Sequence, residues 1–289
     1  MIRTAGLSKR YGDDVAVDGV DLEVLEGSVH GLVGPNGAGK TTLIALLAGL
    51  RSPTSGTVAI EAAPSRVAVL PDTPRFDPWL TGREVVALAA ELVGGSDRVD
   101  DVLSVAGLTD AARRRVGGYS RGMLQRLGIA ASVVGQPAVL LLDEPASALD
   151  PLGRREVLDV IGRMRGAATV LFSSHILADV QEVCDAVSVL DRGRLLFQGP
   201  IAELLTGSAT PRYVVRVRGP AADVAAVFGA EPWVIGVEVL DRGTLAISVS
   251  GADEAERGIV GVLAGAGLPV VSVVPEAVTL ERAFLELTS

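Results

Sequence analysis

The chain has 289 residues, 48% of them hydrophobic and 21% charged, with a formal net charge of −9. That length accommodates one large domain or two smaller ones with full cores, and the acidic balance speaks against a nucleic-acid partner, which needs a basic face. Cys184 is the single cysteine, which excludes an internal disulfide and fits a reducing compartment, and no apolar run approaches the roughly 18 residues of a membrane span.

The first residues, Met1-Ile2-Arg3-Thr4, open no secretory signal. Heavy use of Ala, Val, Gly and Arg with little Lys suggests a GC-rich bacterial source. Residues 1–205 alternate strand-like and helix-like segments, the pattern of an α/β domain around a largely parallel sheet. Strands are predicted over 16–25, 28–33, 67–70, 138–142, 169–173 and 186–190, the last four short and apolar on both faces, as buried parallel strands are. Arg192-Gly193 turns the chain into a further strand, and residues 78–135 read as a mostly helical subdomain inserted between two strands.

A Gly/Ser/Thr/Pro cluster over 206–212 marks a domain boundary. Beyond it, residues 212–289 are expected to form a small α+β accessory domain. Its predicted elements are a strand at 213–217, a helix at 221–228, a hairpin of 234–240 with 244–249 about Asp241-Arg242-Gly243, a helix at 252–264 and a strand at 270–274. That order, β-α-β-β-α-β, is the ferredoxin-like plan. An amphipathic helix over 278–287 closes the chain.

Residues 34–42 read GPNGAGKTT and satisfy G-x-x-x-x-G-K-[ST] through Gly34, Gly39, Lys40 and Thr41. A strand-like run leads in and a helix-like run leads out, the context of a working P-loop. Glycines here let backbone N–H groups of Gly34, Pro35-Asn36-Gly37, Ala38, Gly39 and the residues to Thr42 curl round an anion, proline excepted, and the following helix aims its positive end at it. Lys40 reaches β- and γ-phosphates, and the Thr41 hydroxyl suits Mg²⁺. The expectation is a nucleoside triphosphate bound with Mg²⁺.

Downstream, residues 140–144 form an apolar strand ending in two acids. Asp143 would emerge at the carboxyl end of that strand, where ligands sit in open α/β sheets, and could hold Mg²⁺ through water. Glu144 is then free to polarise a water beyond the γ-phosphate. Ser120 is a good helix N-cap, and with Gly122 it suits a phosphate, although alone it reads as an ordinary capped helix. His175 follows the next strand, where a histidine is either a core residue or a donor to the γ-phosphate. His30 sits in the strand before the P-loop and reads as structural. Tyr11 is either a surface tyrosine or a stacking partner for an adenine ring.

Taken in order, these motifs resemble the nucleotide-binding subunit of ATP-binding cassette (ABC) transporters over residues 1–205. GPNGAGKTT is similar to Walker A, Leu140 to Pro145 (LLLDEP) to Walker B with its glutamate, and Tyr119 to Met123 (YSRGM) to the ABC signature. Residues 147–150 (SALD) resemble the D-loop, His175 the switch histidine and Tyr11 the A-loop aromatic. The resemblance implies a P-loop NTPase cassette with a mixed sheet core and an inserted helical subdomain. It also implies two copies packed head to tail with ATP between them, Ser120 and Gly122 of one facing Walker A of the other. A separate membrane permease would dock around 72–79, placing the cassette on the cytoplasmic side of the membrane.

Two positions depart from the family pattern. Asp72 stands where a Q-loop glutamine is expected, still able to hold Mg²⁺ or its water. Arg121 and Met123 replace the common Gly and Gln of the signature, a reading similar to drug and antibiotic exporter cassettes. The ending TLERAFLELT, residues 279–288, is similar to the LEDVFLxLT close of the same subtype. An importer cassette, a soluble ABC ATPase of ribosomes or DNA, and a cassette that binds ATP without hydrolysing it are the competing readings.

Overall fold

The computed structural model describes every residue except 95, 96, 148, 208, 209, 266, 268, 277–279 and 289. Ala148 of the SALD segment, Ser208 and Ala209 of the boundary cluster, and Val278 and Thr279 at the predicted start of the closing helix therefore lie outside the described residues. The chain divides into two compact units, Met1–Leu204 and Leu205–Leu287.

The first unit opens with β1 (Ile2–Tyr11), β2 (Asp14–Val20), β3 (Glu23–Val24) and β4 (Val29–Val33), then α1 (Lys40–Leu47), β5 (Ser55–Ile60) and β6 (Val67–Leu70). Helices α2 (Gly82–Leu92), α3 (Val99–Val105) and α4 (Arg121–Val133) follow before the chain returns in β7 (Val139–Leu142). It continues through α5 (Pro151–Gly162), β8 (Thr169–Ser174), α6 (Leu177–Val183), β9 (Ala186–Asp191), β10 (Arg194–Pro200) and α7 (Ile201–Gly207).

The central sheet runs β10-β9-β4-β8-β7-β6, parallel except for the antiparallel β9–β10 edge. Strands β4, β7 and β8 are buried along their whole length. This follows from Leu, Val and Phe on both faces, which only a sheet covered on both sides can bury. Helix α6 packs so closely on β4 that a Cβ at Gly31 would stand 2.4 Å from Val180 Cγ1.

A second, antiparallel sheet pairs β1 with β2, β3 and β5. One core spans both sheets and the helix between them, with Ile2 and Val24 from the antiparallel sheet, Leu43 and Leu47 from α1, and Leu141 and Leu171 from the central sheet. The sequence reading leaves β1 and β5 out and joins β2 and β3 into one strand. Their signal is weak for a physical reason. Only Ile2, Thr4 and Leu7 of β1 are buried, Gly6 has a positive φ of 55°, and the β1–β2 register shifts twice. Residues of β5 are at best half-buried. Between β2 and β3 the Asp21 carboxylate accepts the Gly6 N–H at 2.6 Å, tying the break in the expected run to β1.

The second unit contains β11 (Arg212–Val217), α8 (Ala221–Phe228), β12 (Val234–Asp241), β13 (Thr244–Val249), α9 (Ala252–Gly265), β14 (Val270–Pro275) and α10 (Leu280–Thr288). The sheet order is β12-β13-β11-β14, antiparallel throughout. That order, with two helices on one face, is the ferredoxin-like arrangement. Its core gathers Val215, Leu245 and Ile247 from the sheet against Phe228 of α8 and Ile259 of α9. No helix among the described residues is long and apolar enough to cross a membrane.

His30, the second residue of β4, is 2% exposed, with Nε2 2.8 Å from Ser188 Oγ on β9. Burial lowers its pKa to about 4, against a small opposing pull from Asp185. A buried neutral histidine leaves stability untouched above its unfolded pKa, near 6.5. Stability is then lost as the pH falls toward the folded value, because only the unfolded chain takes up the proton. Between pH 7 and pH 5 this single site should remove about 2 kcal/mol. His30→Gln should flatten that part of the profile in denaturant titrations at the two pH values; an unchanged slope would contradict it.

Candidate functional site

Strands β4, β8 and β7 are neighbours in parallel register, Val33 opposite Ser174 and Leu142 opposite Phe172. Their carboxyl ends therefore deliver three loops to one edge: the P-loop, Asp143-Glu144, and His175. A cavity of about 450 Å³ opens there. Asn36, Gly37, Ala38, Gly39, Lys40, Thr41 and Thr42 form one wall, and Asp72, Glu144, Ser147 and His175 the other, with Ala16 at the side.

The loop from Gly34 to Gly39 is shaped by what cannot fit. Gly39 has φ 105° at the N-terminus of α1, and a Cβ there would fall 2.2 Å from the Ala16 carbonyl. The α1 N-terminus has no side-chain cap. Its first N–H groups and the positive φ of Gly37 leave a nest of donors for an anion.

Lys40 is only 6% exposed, and its Nζ donates to the carbonyls of Gly34 (2.7 Å) and Pro35 (3.2 Å). The same ammonium lies 3.2 Å from Glu144 Oε1. The other carboxylate oxygen of Glu144 accepts a hydrogen bond from His175 Nδ1 at 2.8 Å. A carboxylate only accepts, so the imidazole carries its proton on Nδ1 in this arrangement. Glu144 sits at φ 47°, uncommon for a side-chain-bearing residue, and its N–H donates to Ser173 Oγ at 2.8 Å. The Ser173 hydroxyl in turn donates to Asp143 Oδ1 at 2.7 Å. Ser173 thus clamps both acids, a role the sequence shows only as a serine two residues before His175.

Asp72 and Ser147 complete the rim, the Ser147 hydroxyl lying 3.4 Å from Asp72 Oδ1 and 3.2 Å from the Glu144 carbonyl. Thr41 and Asp143 offer hard oxygen donors of the kind Mg²⁺ prefers, so the donor set fits that ion.

The remaining expected residues lie elsewhere. Tyr11, 42% exposed, is not among the described residues lining the cavity; Lys9 Nζ and the Arg51 guanidinium stand over its ring at 5.2 and 5.7 Å. Ser120 caps α4, accepting the Met123 N–H at 3.2 Å. With Gly122 it lines a separate depression of about 460 Å³, shared with Leu149 and Asp150. Tyr119 anchors that start from below, its hydroxyl donating to the Ala111 carbonyl at 2.7 Å.

A third hollow, about 360 Å³ and mainly apolar, runs between β6 and the helices α2 and α4, lined by Leu70, Pro74, Phe76, Leu92 and Gly128 among others. Trp79, on the loop before α2, is 73% exposed, with Arg115 over its ring at 5.8 Å.

Comparison with known proteins bears directly on this geometry. The ABC transporter family model matches residues 17–147. The chain is 41% identical over 227 residues to YxlF of Bacillus subtilis (strain 168), an uncharacterized ABC transporter ATP-binding protein, covering 75% of this chain and 77% of that one. It is 37% identical over 303 residues to the daunorubicin resistance ATP-binding protein DrrA3 of Streptomyces coeruleorubidus, covering 99% and 95%. Among solved structures, the ATP-binding subunit of an ABC transporter superposes with a TM-score of 0.65 at 28% identity, covering 71% of this chain and 91% of that one. The chain belongs to the ABC transporter family, among its ATP-binding proteins.

Proposed function

We propose that the chain is the ATP-hydrolysing subunit of an exporter, working as two copies beneath a separate membrane permease. The division of the site carries this reading. Lys40, Glu144 and His175 share one cavity, whereas Ser120 and Gly122 open into another. A triphosphate cradled by the P-loop meets the N-terminus of α4 only if a second copy supplies it, head to tail. Like-for-like pairing about a two-fold axis then builds two equivalent sites.

Triphosphate entering the P-loop competes with Glu144 for the ammonium of Lys40, which lies 3.2 Å from the carboxylate. Transfer of Lys40 from the carboxylate to the β- and γ-phosphates frees Glu144 to accept a proton from an attacking water. His175 orients that carboxylate through Nδ1–H. Backbone N–H groups of residues 37–42 and the positive end of α1 hold the phosphates, and the signature helix of the second copy adds another helix N-terminus. Thr41 and Asp143, with Asp72 at the rim, are the residues that would hold Mg²⁺, which offsets phosphate charge. Tyr11 offers its exposed ring to the adenine. Binding closes the pair because the ATP state favours the closed dimer, and hydrolysis reopens it.

The apolar hollow beside α2, and the exposed Trp79 on the loop before that helix, suit a short amphipathic helix of the permease. Export is supported by the likeness to a daunorubicin resistance protein along nearly the whole chain. The net charge of −9 fits the absence of a nucleic-acid partner. Docking on a permease puts the cassette at the cytoplasmic face of the membrane.

Glu144→Gln should lower steady-state phosphate release by roughly 10²–10⁴-fold. MgATP should still bind, and the variant should run as a dimer in size-exclusion chromatography with MgATP. Turnover at the wild-type rate, or a monomer under those conditions, would overturn the reading. Trp79→Ala should weaken recovery of the chain with washed membranes by about 2 kcal/mol or more, as loss of an exposed interface tryptophan does. Unchanged recovery would remove Trp79 from the docking surface.

A further inference from the structure

Outside the cavity, the helix that follows Glu144 is tied to the helix that follows His175 by one ion pair, buried on its carboxylate side. Arg154, in the first turn of α5, meets Asp179, in the first turn of α6, through Nε and Oδ1. Asp179 is 2% exposed. Burial pushes its carboxyl above the usual range while Arg154 pulls it back down.

An acid in the first turn of a helix commonly does no more than complement the helix dipole from the surface. Asp179 is instead out of solvent and paired across to a different helix. Such a pair is a poor source of stability, because desolvation of the carboxylate, and in part of the guanidinium, cancels much of the attraction. What such a pair does supply is register: it accepts one relative placement of the two elements and penalises the others.

The elements it registers are those carrying the hydrolytic groups. Asp150 caps α5, accepting the Gly153 N–H at 3.2 Å, and the chain between Glu144 and Asp150 is short. On the other strand, Ser173 binds Asp143 and Glu144, His175 binds Glu144, and four residues later Asp179 binds Arg154. The loop after β8 is therefore held to the segment after β7 at both ends, by buried Ser173 at the end of β8 and by Asp179 in α6. His175 lies between the two ties, and its side chain is the more exposed of the His175–Glu144 pair.

We propose that Asp179 and Arg154 are positioning residues for hydrolysis: their pairing holds the His175 imidazole at hydrogen-bond distance from Glu144. The inference rests on the reading of Glu144 and His175 as the hydrolytic pair, and it assigns a function to a contact that touches neither nucleotide nor metal. Losing the tie leaves the P-loop intact, so nucleotide binding persists while the chemical step slows.

The test is Asp179→Asn in the full-length chain, assayed with MgATP. The expected result is a kcat lower by about tenfold or more, from misplacement of the imidazole, with KM within about twofold. Arg154→Met should give the same split, and its agreement guards against a folding defect peculiar to one variant. In a His175→Ala background, Asp179→Asn should cost nothing further, because the residue acts through the imidazole.

The chain has two histidines, so the imidazole ¹⁵N shifts of His175 are read directly against buried His30. They should move away from the Nδ1–H form in Asp179→Asn. Unchanged shifts, an equal fractional loss in both backgrounds, or a raised KM at unchanged kcat would overturn the positioning role. A His175→Ala chain with wild-type kcat would instead overturn the hydrolytic reading itself.

Discussion

Three neighbouring parallel strands govern everything else in this molecule. Because β4, β8 and β7 run the same way and in register, their carboxyl ends finish at one edge. The P-loop, Asp143-Glu144 and His175 are brought together by that fact alone, across more than a hundred residues of sequence. Each strand must be apolar on both faces to occupy the middle of a covered sheet, and each is fully buried. The hydrophobic effect that assembles the core thus also assembles the site, and a slip of one residue in any of the three would withdraw a residue from the cavity.

Electrostatics takes over where packing ends. Lys40 is a nearly buried ammonium that meets two backbone carbonyls and one carboxylate. An ammonium so placed needs compensating charge, and in this arrangement Glu144 supplies it. Under the proposed function a phosphate competes with Glu144 for that ammonium, so binding substrate and releasing Glu144 become one exchange of partners. The positive φ of Glu144 is maintained by Ser173, whose hydroxyl serves the backbone of one acid and the side chain of the other. Signature residues Ser120 and Gly122 face a different depression, which makes a single copy chemically incomplete under the proposed function.

Much of this was legible in the amino-acid order, and the reasons differ from element to element. GPNGAGKTT is readable because phosphate chemistry demands glycines, a lysine and a hydroxyl at fixed spacing. The buried strands β7, β8 and β9 are readable because short, mostly apolar runs between polar turns admit few other structures. The tail is readable because β11, β12 and β13 are separated by a helix and an Asp-Arg-Gly turn. By contrast β1 and β5 carry mixed polar sequences with few buried side chains, so their pairing is set by tertiary context. The Lys40–Glu144 and Arg154–Asp179 pairs join residues far apart in sequence, and nothing local in either member announces the other. Tyr11 shows the limit of motif reading: its place in the sequence suggests a purine, while its immediate neighbours in space are Lys9 and Arg51.

The central claim is that one working site is built from two copies, and mixing two inactive variants tests it most directly. Lys40→Ala disables the P-loop and Ser120→Arg disables the signature. Each alone should be inactive, since every site in either homodimer lacks one half. When the two are mixed and allowed to exchange, half the dimers are heterodimers with one complete site of two, so ATPase should return to about a quarter of the wild-type rate. If the mixture stays as inactive as its components, while both variants fold and bind one another, the shared site does not exist and the account fails.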